Sequence, residues 1–348
     1  LLNGIHAILG IKTVLLVEAT RILCSTKRAI FKMMTLKWIN TLIFRSVASA
    51  WGDRLSSYDP YYTKDIESHL MELFPTQQSI VNSNQYSIMV IGGAEDKVNQ
   101  CEILKTFFEK SGGEHAIIGI IPCASREPTL IGDRYYQIFT EMGAKQVQVL
   151  DLRQPAESHD PRWSTILSNC TGVFVTGGDQ VRLCWLIGGS QLLETIKTRV
   201  KLGKLVLAGT SAGAAMMGSK MISGGSSGES PNRALVDLAD GLAILPELVV
   251  DQHFHNRNRM ARLISAIANY PDRLGIGIDE DTCAMFAGDG TFHVLGAGTI
   301  TVIDPGKLSH TNFSETVDML PLSMHNLTVH ILVKGDQYDY QNRVIVPQ

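Results

Sequence analysis

The residues whose order most clearly suggests chemistry are Gly209-Thr210-Ser211-Ala212-Gly213, which follow the apolar run Leu205 to Ala208 and precede the helix-compatible Ala214-Ala215-Met216-Met217. Small residues on both sides of a serine permit a tight strand-to-helix turn. Such a turn lifts the hydroxyl out of a sheet and sets it at the positive end of a helix, which is a nucleophile elbow. Out of that context the same serine would be an ordinary helix cap. A serine hydroxyl needs a base at neutral pH, and the tetrahedral intermediate it forms needs donors for its oxyanion. Gly177 and Gly178 end the preceding apolar run in Val175-Thr-Gly-Gly-Asp-Gln, so their N–H groups are expected on the same sheet edge, where with that of Ala212 they could form the oxyanion hole.

The base must come from ten histidines, and the richest neighbourhood is Val249-Val-Asp-Gln-His-Phe-His-Asn-Arg-Asn-Arg-Met-Ala-Arg-Leu. Two readings fit it. If the strand runs through it, Asp251, His253 and His255 share one face at i, i+2 and i+4, a spacing acceptable for a metal site. Alternatively one imidazole serves Ser211 and the other is structural. A third group must orient the imidazole and stabilise its cation. Glu280, in the acidic turn Asp279-Glu280-Asp281 at the end of an apolar strand, is the first choice, and Glu229, in the Gly- and Ser-rich loop around Ser223 to Pro231, the second. Cys123 and Cys283 lie at strand ends without an elbow and are weaker nucleophile candidates. Gly92-Gly93 lacks the spacing of a dinucleotide or phosphate loop, so nucleotide binding is not expected.

The elements that must position these residues begin near Tyr86. Apolar runs at Ser87 to Ile91, Ala116 to Ile121, Gln146 to Leu150, Gly172 to Val175 and Lys204 to Ala208 read as strands buried on both faces. Between them Cys101 to Ser111, Asp133 to Met142 and Leu192 to Val200 carry helical periodicity. The alternation predicts an α/β fold: a mostly parallel sheet with helices on both faces and functional loops at the carboxyl ends of its strands. After Gly275 the pattern turns strand-rich (Ile276 to Asp279, Cys283 to Phe286, Phe292 to Leu295, Thr299 to Ile303, Val329 to Val333), which reads as extra C-terminal hairpins of the same domain.

The 348 residues, 45% of them hydrophobic, suffice for a sizeable core, and the formal net charge of −3 gives no overall basic field for nucleic acid or an anionic membrane. Six cysteines without C-x-x-C spacing fit reduced thiols in a cytoplasm better than a disulfide framework or a zinc site. Residues 1–85 differ in texture from 86–348: the first fifty carry seven basic side chains against one acidic, and charges interrupt every apolar run before it could span a membrane. They suit a targeting peptide or translated upstream sequence, an extension without catalytic role, followed by a single α/β domain.

Six ordered motifs then resemble one family. Gly92-Gly-Ala-Glu-Asp-Lys, Thr176-Gly-Gly-Asp-Gln, Gly209-Thr-Ser-Ala-Gly-Ala, Gly224-Gly-Ser-Ser-Gly-Glu-Ser-Pro-Asn-Arg-Ala-Leu, Asp251-Gln-His-Phe-His-Asn-Arg-Asn-Arg-Met-Ala-Arg-Leu and Gly277-Ile-Asp-Glu-Asp-Thr together look like the cyanophycinases, peptidase-E-like serine peptidases. The resemblance runs from about Ser87 to near the C-terminus. It implies a fold like that of class I glutamine amidotransferases and a homodimer needing no cofactor. It implies as well a serine exopeptidase that cuts cyanophycin, a polyaspartate bearing an arginine on each side-chain carboxyl, into β-Asp-Arg dipeptides through an acyl-enzyme. Carried onto this sequence, Ser211 is the nucleophile, His253 the base and Glu280 the orienting acid, with Glu229 second. Substrate contacts fall on Gln180, Asp251, Gln252, Arg257, Arg259 and Arg262. Chemistry agrees: the arginine forks can grip substrate carboxylates, while Asp251, Asp279, Asp281 or Glu229 could receive a guanidinium. Another isoaspartyl or Asp-containing peptide as substrate, or a non-catalytic cyanophycin-binding relative, are the alternatives.

Overall fold

The computed structural model describes residues 87–228 and 230–347. The basic extension at 1–85, and Glu229, therefore lie outside the described residues.

The chain opens with β1 (Ser87–Ile91), α1 (Glu102–Lys110), β2 (Ile117–Ile121), α2 (Pro128–Glu141), β3 (Gln146–Val149), α3 (Pro161–Asn169), β4 (Gly172–Val175), α4 (Gln180–Ile187), α5 (Gln191–Lys201), β5 (Val206–Thr210) and the one-turn α6 (Ala212–Ala215). These five strands pair in parallel in the order β1-β5-β4-β2-β3. Successive residues point to opposite faces, so β1 sends Ile88 and Val90 into one apolar cluster and Met89 and Ile91 into another. The second cluster is aromatic: Phe107 of α1 and Phe139 of α2 meet Phe174 of β4 edge-on, with centroids 5.4 and 5.6 Å away. Burying each such ring contributes about 2–3 kcal/mol, so both faces must be covered by helices. That is the doubly covered sheet expected from the alternation of runs, except at β3. This run was expected to be buried on both faces, but it is the edge strand, exposed at Gln146 and only half-buried from Val147 to Val149.

The second half is β6 (Lys220–Gly225), β7 (Val236–Asp240), β8 (Leu248–Gln252), α7 (Met260–Asn269), β9 (Leu274–Ile278), β10 (Thr282–Ala287), β11 (Thr291–Gly296), β12 (Ile300–Asp304), β13 (His310–Thr311), β14 (Met324–His325), β15 (Thr328–Leu332), β16 (Gln337–Asp339) and β17 (Val344–Val346). β10, β11, β16 and β17 extend the main sheet antiparallel from β1, giving nine strands among the described residues. The rest of the strand-rich region is not a run of hairpins on that sheet. β8, β9, β12 and β15 form a second sheet in which β8 and β9 are parallel. Alternation in a sequence reports that a run is a strand; long-range pairing decides which sheet it joins. The chain passes from the second sheet to the first across 279–281, the turn that carries Glu280.

One expectation fails locally. β8 ends at Gln252, and His255–Arg257 is a 3-10 turn, so Asp251, His253 and His255 do not share a strand face. His253 has left-handed backbone (φ 50°), and its N–H donates to Gly92 O at 2.8 Å, which pulls the chain out of the ladder.

Candidate active site

Ser211 leaves β5 with φ 55° and ψ −110°, a region costing about 1–3 kcal/mol for a residue with a side chain. Its neighbours enforce that conformation. Its N–H donates to Ile91 O at 3.0 Å, and its carbonyl accepts Ala214 N and Ala215 N at 2.9 and 3.0 Å. The flanking glycines are steric necessities: a Cβ on Gly209 would fall 2.1 Å from Gly213 O, and one on Gly213 2.5 Å from Val175 O. The turn is thus a strained elbow, and Ser211 Oγ stands 2.9 Å from His253 Nε2.

His253 Nδ1 lies 2.6 Å from Glu280 Oε1, completing a chain from hydroxyl through imidazole to carboxylate. Glu280 is held in turn by its N–H, which donates to Asn256 Oδ1 at 2.9 Å. Burial holds the His253 imidazole below its ordinary 6.5; the hydrogen bond to Glu280 works in the opposite direction, while the Arg257 and Arg259 charges add to the depression. A neutral imidazole beside a hydroxyl, its other nitrogen on a carboxylate, is equipped to accept the hydroxyl proton. Gly177 packs on the same serine: a Cβ there would be 3.1 Å from Ser211 Cβ. Gly178 follows in a φ of +144°, and Asp179 caps α4 by accepting Val181 N and Arg182 N.

The other expected residues divide into two groups. Gln252 Oε1 stands 3.5 Å from Ser211 Oγ, and Arg257 is exposed just beyond His253, with no ion pair among the described residues. Asp251 and Arg262, by contrast, are only 1% and 6% exposed and grip each other, Arg262 Nε to Asp251 Oδ2 at 2.9 Å and Nη2 to Oδ1. Arg259 Nη1 adds a contact to Asp251 Oδ1 at 3.3 Å and one to Gln252 O. Direct substrate contact was expected of Asp251 and Arg262; the structure turns both inward, where they brace the strand bearing Gln252. Gln180 donates from Nε2 to Ile222 O and Ser223 O, both 3.0 Å away, at the root of the loop that contains Glu229.

The metal alternative loses its geometry as well. Asp251 faces arginines, His253 faces Ser211 and Glu280, and His255 Nε2 lies 3.1 Å from Thr301 Oγ1 in the second sheet. The remaining acids of the 279–281 turn are engaged: Asp279 accepts His255 N, Thr299 N and Thr299 Oγ1, and Asp281 Oδ1 accepts Asp96 N. The cysteines are poor nucleophiles here. Burial pushes the Cys123 thiol up to about 12, and raises that of Cys283 further, mainly by desolvation.

Sequence reasoning missed one buried group beside the elbow. Glu95, in the Gly92-Gly-Ala-Glu-Asp-Lys motif, accepts Thr210 Oγ1 at 2.6 Å. Nothing local in the motif signals the pairing, because Thr210 lies 115 residues further along the chain, on β5 beside β1.

Comparison with known proteins agrees with this geometry. The chain matches Peptidase family S51 over residues 88–295. It is 59% identical over 253 residues to a cyanophycinase of Geminocystis herdmanii, covering 73% of this chain and 93% of that protein. It is 56% identical over 261 residues to a cyanophycinase of Nostoc sp., covering 75% and 88%. The resemblance carried by the six motifs is borne out. Among solved structures, a peptidase from an acI-B1 Actinobacterium superposes with a TM-score of 0.52 at 19% identity, over 73% of this chain and 96% of that one, a likeness of fold.

Proposed function

Because the chain belongs to Peptidase family S51 and is a serine-type peptidase, we propose that it hydrolyses cyanophycin from a chain end to β-Asp-Arg dipeptides. In this reading Ser211 Oγ attacks the carbonyl of a backbone Asp–Asp amide while His253 Nε2 takes its proton. Glu280 orients the ring and stabilises the imidazolium. The N–H groups of Gly177, Gly178 and Ala212 receive the oxyanion. Collapse of the tetrahedral intermediate breaks the C–N bond, His253 protonates the leaving amine, and water then releases the acyl group from Ser211 by the same steps in reverse order.

The observation that carries the reading is the unbroken Ser211–His253–Glu280 chain, at 2.9 and 2.6 Å, on a strained elbow. The names of the relatives supply the substrate. Local charge fits it: the exposed Arg257 fork suits a polymer carboxylate, and Gln252 and Gln180 flank the serine and the 223–232 loop. A homodimer belongs to this proposal through the resemblance alone and a cytoplasmic location through the spacing of the six cysteines; among the described residues no helix is long and apolar enough to cross a membrane.

Incubation with purified insoluble cyanophycin, followed by mass analysis of the supernatant, tests the substrate. Free β-Asp-Arg is the expected product. An unchanged polymer, with turnover of another isoaspartyl peptide, would replace cyanophycin and leave the hydrolytic chemistry in place.

A further inference from the structure

The three residues of the proposed triad come from three distant segments, and one short stretch touches the backbone of all three. Consecutive carbonyls at the end of β1 accept from each segment in turn: Ile91 O from Ser211 N at 3.0 Å, Gly92 O from His253 N at 2.8 Å, and Gly93 O from Asp281 N, next to Glu280, at 2.9 Å. Side chains repeat the pattern. Asp96 N donates to Asp281 Oδ1 at 2.8 Å, beside Glu280, and Glu95 Oε2 accepts Thr210 Oγ1 at 2.6 Å, beside Ser211. Gly93 itself, at φ +100°, forms a wall behind the imidazole. A Cβ there would fall 2.4 Å from His253 Cε1 and 2.6 Å from Nε2.

Resting on the triad reading above, we propose that Ile91–Lys97 is the frame that sets the triad's register, with Glu95 and Thr210 as positioning residues for Ser211. Glu95 is 2% exposed, and its carboxylate is surrounded by donors: the Thr210 hydroxyl, the Tyr135 phenol and the Lys97 ammonium, 3.1 Å from Oε1. Tyr135 stays protonated, its ionisation pushed well above the ordinary 10 by burial and by the Glu95 charge, so it is a standing donor. A buried, fully partnered carboxylate adds little net stability over an apolar replacement, but it fixes geometry because each donor has a direction. That is what the elbow needs. Ser211 and His253 both have positive φ, at 55° and 50°, and such backbones persist only where neighbours over-determine them. Glu95 clamps the residue before Ser211 from the segment whose carbonyl already holds Ser211 N.

The test is Thr210→Val, which keeps shape and removes the hydroxyl, measured against Thr210→Ser, which keeps the hydroxyl. In the full chain, turnover of a short β-Asp-Arg oligomer and the rate of Ser211 labelling by a fluorophosphonate are measured, with folding checked by circular dichroism. In Thr210→Val, kcat and the labelling rate are expected to fall together by about tenfold to a hundredfold, the effect of a misplacement below an ångström, with KM within about twofold. Thr210→Ser should recover most of both. The inflection of kcat/KM with pH should stay where it is in the wild type, because the ring's own partners are intact. A folded Thr210→Val with wild-type kcat and labelling overturns the frame, as does equal impairment of Thr210→Ser, which would assign the effect to the methyl group. Should Thr210→Val fail to fold, Tyr135→Phe decides: a kcat lowered about threefold or more supports the frame, and an unchanged kcat overturns it. Ser211→Ala separates the two levels. If it retains turnover and labelling, the triad reading itself falls; if it is silent while Thr210→Val matches the wild type, only the frame does.

Discussion

At the scale of single residues the chemistry depends on a neutral His253. Its ionisation is lowered from 6.5 mainly by burial, so the form able to accept a proton gains as pH rises through a window below 6.5. kcat/KM should therefore rise with an inflection below that value. The sign fixes two mutant responses. Glu280→Gln removes a group that favours the imidazolium, moves the inflection lower and cuts kcat by roughly a thousand- to ten-thousand-fold with little change in KM. Arg257→Ala removes a charge that opposes the imidazolium, moves the inflection up, and raises KM for the polymer if the fork grips a substrate carboxylate. pH profiles of both variants check these directions; an inflection that moves the other way in either contradicts the assignment. Ser211 was legible because its signal is local: five adjacent residues, a strand before and a helix after. Between His253 and His255 the sequence alone was silent, since their separation into a site and a structural role arises from Gly92 and Thr301, each far away in the chain.

Among the elements, the end of β8 shows where the pattern of residues misleads. The alternation through Asp251-Gln-His-Phe-His reads as a strand, yet the bond from His253 N to Gly92 O ends it after Gln252 and turns the imidazole toward Ser211. The arginines beyond it read as three equivalent substrate donors. α7 instead carries Arg262 inward onto Asp251, leaving Arg257 in the open. Their substitutions should accordingly differ in kind. Arg262→Ala strands a buried carboxylate with only Arg259 for company, and should lower stability by about 3–5 kcal/mol, read as a fall in the denaturant midpoint. Arg257→Ala should leave that midpoint nearly unchanged. Equal midpoints for the two would mean that the Asp251 pair is solvated and the buried pairing wrong. The parallel core was legible from runs such as Gly172-Val-Phe-Val; the assignment of β9, β12 and β15 to a second sheet was not, because strand partners are chosen by contacts far apart in the chain.

For the molecule as a whole, every residue given a role at the proposed triad, its oxyanion donors or its frame lies within 91–281, and the family match spans 88–295. Removal of residues 1–80 is therefore expected to leave kcat and KM on a short β-Asp-Arg oligomer nearly unchanged; a folded but inactive truncation would place part of the site in the extension. Two sheets meet at the 279–281 turn, and that junction brings a carboxylate from one segment to a histidine from another and a serine from a third. No single motif encodes such a meeting, so it could be expected from six motifs in order and located only by the fold. The most direct test of the account is where a covalent adduct forms on the intact protein. Reacted with a fluorophosphonate and digested for peptide mass mapping, the wild-type chain should carry one adduct, on the peptide containing Ser211, with hydrolysis lost in step with labelling and labelling absent in Ser211→Ala. An adduct elsewhere, or a fully labelled Ser211 with hydrolysis intact, would contradict it.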